Sequence, residues 1–114
     1  QVSEYGSADV AEQFRWLYAY SPYHHVTPGA AYPAVLLTTA EGDSRVDPMH
    51  ARKMAAALQH ATAGAVRSRP VLLRVEERAG HGAGKPLVKQ IAESADIWSF
   101  LFWQLDVDPP RLPE

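Results

Sequence analysis

Two short apolar runs, Ala34 to Thr39 and Val71 to Val75, constrain the fold of this chain more than any other feature. Each has the length of a strand, and the first carries no charge, which suits a strand covered on both faces of a parallel sheet. Between them Ala51, Met54, Ala55 and Leu58 recur at i, i+3, i+4 and i+7. That spacing predicts a helix with a narrow small-residue stripe that packs closely on a sheet. A strand, a helix and a second strand in this order imply parallel pairing through a right-handed crossover.

Further helices flank this unit. Val10, Phe14, Leu17 and Tyr18 predict an amphipathic helix to about Ala19, with Ser7 and Asp9 as capping oxygens and Ser21-Pro22 as its stop. Residues Tyr23 to Pro33 hold Pro28, Gly29 and Pro33 and form an irregular connection. Asp47 is the expected N-cap of the middle helix, Pro48 its first residue and Gly64 its end. Pro86 opens a last helix, along which Val88, Ile91, Ala92, Ala95, Trp98, Phe102 and Leu105 form an apolar stripe; Asp108-Pro109-Pro110 is the stop.

A sheet of two strands leaves both outer edges unpaired, so the chain reads as part of a larger sheet. Its 114 residues and 46% hydrophobic content suffice for no more than one folding unit. The start at Gln1, without methionine or a signal-like opening, looks like a cut boundary. A net charge of −2 with interspersed signs points to neither nucleic acid nor an anionic membrane as partner, and no apolar run approaches the roughly 20 residues of a membrane span. The absence of cysteine excludes disulfides, thiol catalysis and cysteine-ligated metals.

Functional groups in open α/β sheets gather beyond the carboxyl ends of the strands. Two loops there carry chemistry. Asp43 follows the first strand and His81, within Gly80-His81-Gly82-Ala83-Gly84-Lys85-Pro86, follows the second. Adjacent strands lie about 4.8 Å apart, so the two side chains are within reach of each other. A carboxylate on one imidazole nitrogen fixes the tautomer, and the other nitrogen then takes a proton from a nucleophile. The order acid then base matches the second half of an α/β-hydrolase triad. Gly42, by adopting positive φ, is expected to turn the Asp43 carboxylate inward.

Neighbouring candidates fit less well. Ser44 lies between a strand and a helix like a nucleophile elbow, but Val46 replaces the second glycine. His24, His25, His50 and His60 lack the i, i+4 pairing of a zinc helix, so no metal is expected. Arg45, two residues from the acid, is placed either in solvent or as a donor to a substrate carbonyl.

At Asp43-Ser44-Arg45-Val46-Asp47-Pro48 and Gly80 to Pro86 the chain resembles the catalytic domain of the prolyl oligopeptidase family. These are serine peptidases that join an α/β-hydrolase domain to a β-propeller. The likeness extends from Tyr5-Gly6 through Tyr20-Ser21-Pro22 and Val35 to Thr38, and reaches the final helix near Leu105. It implies that Asp43 is the triad aspartate and His81 the triad histidine. It also implies that Arg45 bonds a substrate carbonyl, and that Val46 and Tyr5 line the pocket for a proline ring. The family's serine, oxyanion hole and propeller precede the matching region, and its proline-stacking tryptophan falls at Gln1.

The expectation is therefore an α/β chain, the C-terminal portion of an α/β-hydrolase fold, with residues 1–108 in the peptidase domain and 109–114 a tail. It supplies acid and base to an endopeptidase that cleaves short peptides after proline, is inactive without the missing serine, and uses no cofactor. Its partners are a short peptide and the remainder of the catalytic domain with the β-propeller, in the cytoplasm or alternatively the periplasm. Another branch of the clan (oligopeptidase B, dipeptidyl-peptidase or acylaminoacyl peptidase) is the nearest alternative. A truncated non-catalytic binding or assembly module is the alternative of another class.

Overall fold

A computed structural model describes residues 2–62, 68–77 and 86–110. Its order is α1 (Val2–Tyr5), α2 (Ala11–Tyr20), a 3-10 turn (Pro22–His25), β1 (Val35–Ala40), α3 (Met49–Ala61), β2 (Val71–Glu76) and α4 (Leu87–Leu105). The strands pair in parallel and in register, from Val35 opposite Val71 to Ala40 opposite Glu76. The βαβ unit anticipated from the two apolar runs is thus present, with the one-turn helix α1 as an addition.

The core lies between the sheet and α3, where Ala55 and Leu58 are 3% and 4% exposed and Ala61 and Val71 are also buried. Alanine on the stripe lets the helix approach the sheet closely, and Gln59 Nε2 bonds the Val71 carbonyl at 2.9 Å. Burial of Leu58 alone is worth roughly 2 kcal/mol. Side chains alternate across a strand, so Val71, Leu73 and Val75 share the α3 side while Leu72, Arg74 and Glu76 share the other.

Two helix ends, those at the start of α2 and the close of α4, depart from expectation, each for a local reason. Ser7 and Asp9 do not cap α2; they bond each other, and Gln13 reaches back so that its Oε1 accepts the Ser7 N–H at 2.7 Å beside Gly6, whose φ is +97°. The C-terminus of α3 falls at Ala61, where Thr62 Oγ1 donates to the Leu58 carbonyl at 2.7 Å. Gly64, the expected end, lies outside the described residues. α4 stops at Leu105, ahead of the prolines, because Asp106 turns left-handed (φ 53°) and the Val107 N–H closes on the Phe102 carbonyl at 3.0 Å.

The predicted stripe of α4 is not a core face. Val88, Ile91, Trp98 and Leu105 are between 58% and 77% exposed, and on α2 Phe14 and Tyr18 are exposed as well. α4 instead turns Lys89 and Asp96 toward the sheet, where they pair with Glu76 and Arg74. The radius of gyration is 17.5 Å, against about 13 Å for a compact domain of this length. Two strands offer too little surface to cover both long helices.

Candidate active site

The acid loop is rooted beside the end of β2. The Glu41 N–H bonds the Glu76 carbonyl at 2.9 Å, one step past the last paired residue, and the Asp43 N–H turns back to the Ala40 carbonyl at 3.2 Å. Asp43 is half-buried, and its Oδ1 accepts the N–H groups of both Arg45 and Val46 at 2.9 Å. A short acidic side chain that bonds the backbone two and three residues ahead closes a turn by itself. This corrects the role expected of Gly42. Among the described residues positive φ occurs at Gly6, Gly29 and Asp106, so the carboxylate, not glycine, shapes the loop.

Asp47 separates cleanly from Asp43. Its Oδ1 accepts the Met49 N–H at 2.8 Å, and Pro48 behind it is already helical (φ −56°, ψ −17°), as the N-cap and first-residue assignment requires. The loop thus spends one acid on the helix end and holds the other in a turn with Arg45 and Val46. Arg45 and Val46 are exposed beside it, and Tyr5 is 65% exposed on α1. His81 lies outside the described residues. The structure therefore joins three of the five candidate residues, Asp43, Arg45 and Val46, in one turn.

Two clusters escaped the sequence reading. Ser21 Oγ and His24 Nδ1 are 2.8 Å apart, and His25 Nδ1–H donates to the Ser21 carbonyl at 2.9 Å. Both imidazoles lie against the Tyr18 ring, with centroids 5.1 and 5.3 Å away. Residues three and four apart in a tight turn meet for local reasons, so this exposed serine–histidine contact is the stop of α2. A serine before proline with histidines three and four places on is its sequence signal. Among the described residues no three His, Asp or Glu side chains gather as metal ligands.

The second cluster is ionic. Glu76, whose side chain is 10% exposed, accepts from Arg74 Nη1 at 3.0 Å and lies 3.1 Å from Lys89 Nζ; Arg74 Nε bonds Asp96 Oδ2 at 2.7 Å. The Lys89 hydrogen bond, then that of Arg74, holds the Glu76 carboxyl below the usual range. The Asp96 bond raises Arg74 despite its partial burial. Its signal was the placement of Arg74 and Glu76 on one strand face and Lys89 and Asp96 two turns apart on α4. An open cleft of about 560 Å³ lies between this face and α4, lined by Leu36, Leu72 and Phe100 among others, and takes no residue from the acid loop.

The model of the prolyl oligopeptidase family matches residues 1–108. The chain belongs to the prolyl oligopeptidase family. It is similar to prolyl oligopeptidase A of Galerina marginata, 38% identical over 97% of this chain and 16% of the relative, and to the prolyl endopeptidase of Elizabethkingia miricola, 40% identical over 91% and 14%. Among solved structures, one from a study of two prolyl endopeptidases superposes with a TM-score of 0.77 at 40% identity, covering 99% of this chain and 15% of that one. Prolyl oligopeptidase B from Galerina marginata, bound to a macrocyclization substrate, gives 0.79 at 37% identity over 94% and 15%. The fold is therefore a portion of an α/β-hydrolase catalytic domain, and the chain spans about one-seventh of the length of these relatives.

Proposed function

We propose that this chain supplies the acid and the base of a serine peptidase that cleaves short peptides after proline. In this reading Asp43 orients His81, and His81 takes the proton from a serine in the remainder of the catalytic domain and returns it to the leaving amine. Arg45 donates to a substrate carbonyl, and Val46 and Tyr5 border the proline ring. The observation that carries the reading is the in-register parallel pair. It starts the acid loop and the strand-end segment leading to His81 from the same end of the sheet, in a chain of this family.

The exposed apolar faces of α2 and α4 fit the same proposal, since the remainder of a catalytic domain would cover them. A β-propeller and a location in the cytoplasm, or alternatively the periplasm, complete it. The test is hydrolysis of proline-, arginine- and N-acylated peptide substrates by the full-length protein that carries this chain, with a serine-directed phosphonate as label. Cleavage after proline, lost with His81→Ala, is the expected result. Cleavage only of the arginine or acylated substrates, or labelling unchanged in His81→Ala, would overturn it.

A further inference from the structure

The 3-10 turn after α2 meets the first turns of α3, and a cleft of about 220 Å³ opens between them, lined by Ser21, Tyr23, His24, Met49, His50 and Lys53. Two imidazoles and an ammonium line it, and no carboxylate does. Elsewhere among the described residues Arg74 and Lys89 each hold a carboxylate within 3.1 Å, whereas Lys53 makes its contact with an aromatic ring instead. Asp47, the nearest acid in sequence, turns its Oδ1 to the Met49 N–H.

Two of the nitrogen-bearing groups are braced in place. The His24 imidazole contacts the rings of Tyr18 and Tyr23, with centroids 5.1 and 5.2 Å away, and its Nδ1 is 2.8 Å from Ser21 Oγ. With the Ser21 hydroxyl donating to Nδ1, the ring proton sits on Nε2, which is left as a donor. Lys53 Nζ stands 4.5 Å from the centre of the same Tyr23 ring, a contact that holds the ammonium and leaves its N–H donors for oxygen. Groups held before a ligand arrives lose less freedom when it binds.

An ammonium beside two imidazoles disfavours a metal cation and favours an anion with several acceptor oxygens. The volume equals that of about seven waters, enough for one phosphate or carboxylate group with part of its hydration. We infer that this cleft is a binding site for an oxyanion, separate from the acid loop. Lys53 supplies the charge, and His24 and His50 supply directed donors. All three are exposed and open to a ligand. The inference uses no residue of the proposed proton relay and stands whether or not the peptidase reading does.

The test is calorimetric titration of the full-length protein with inorganic phosphate at constant ionic strength, with acetate as a second arm. One saturable site with a Kd on the order of 1–10 mM is expected. Lys53→Met should weaken it roughly 5- to 20-fold, and Lys53→Arg, which keeps the charge, should bind within about threefold of wild type. Arg52→Met removes the same charge from an exposed neighbour outside the cleft and should change binding less than about twofold. Phosphate should also slow amide hydrogen exchange at residues 21–25 and 49–53. Tighter binding of phosphate marks a phosphoryl group as the ligand and tighter binding of acetate a carboxylate, and either supports the site. Saturable binding of neither anion, binding unchanged in Lys53→Met, an equal loss in Arg52→Met, or exchange slowed only at other residues overturns it.

Discussion

Asp43 performs one job that can be seen in the structure and is assigned a second by the proposal, and two substitutions separate them. Its Oδ1 accepts two backbone N–H groups at 2.9 Å. Each such bond contributes about 0.5–1.5 kcal/mol net. Water replaces part of this, because Arg45 and Val46 are exposed. Asp43→Ala should therefore destabilise the protein by about 1–2 kcal/mol, in line with loss of a helix cap. Asp43→Asn keeps an oxygen acceptor in the same place, so the turn survives with a cost below about 1 kcal/mol. The amide cannot stabilise an imidazolium, however, and an acid-to-amide change of this kind lowers kcat by about 10⁴. Urea unfolding and steady-state hydrolysis of a prolyl peptide by the full-length protein measure the two effects side by side. If Asp43→Asn retained activity within tenfold of wild type, the carboxylate would be a turn residue only and the relay would need another acid.

Three further outcomes concern the frame around the site. Leu58→Ala removes the largest buried side chain of α3 and should cost about 3 kcal/mol in urea unfolding, from lost transfer energy and the cavity left behind. Asp106→Gly relieves the left-handed strain at the end of α4 and should raise stability by up to about 1 kcal/mol by the same measurement. Glu76 has its carboxyl lowered by Lys89 and Arg74, so its contribution is fully present above the unfolded carboxylate value, near pH 4.3, and is lost as pH falls through the folded value. Wild type should accordingly lose more stability than Glu76→Gln between pH 6 and pH 3; equal losses would show that the network does not hold the charged form.

The strands and α3 were legible because each follows a local rule. Short apolar runs make strands, and the stripe Ala51, Met54, Ala55, Leu58 makes a helix that lies close on a sheet. Asp47-Pro48 was legible for the same reason, since capping is set by two adjacent residues. The stripe of α4 misled. Periodicity shows that a helix has an apolar face, but not whether anything within 114 residues is large enough to cover it. Gly42 misled in a similar way: a glycine permits positive φ without requiring it, and the Asp43 carboxylate closes the turn with ordinary backbone angles. The Arg74–Glu76–Lys89–Asp96 network was hidden because its members are 22 positions apart at the extremes, and only the packing angle of α4 brings them together. The roles expected of Val46 and Tyr5 have no local signal and came from family likeness, whereas the place of Arg45 two residues from Asp43 gave its expected role a local hint.

β1 and β2 finish on the same rung, with Ala40 beside Glu76 and the Glu41 amide on the Glu76 carbonyl. Bending or twisting of the sheet therefore carries the stems at residues 41 and 77 as one body, and only a shear between the strands, which would break the whole ladder, could offset them. One consequence concerns length changes. A residue inserted within either strand would shift one stem against the other by about 3.3 Å, whereas one inserted after residue 48 would leave their alignment untouched.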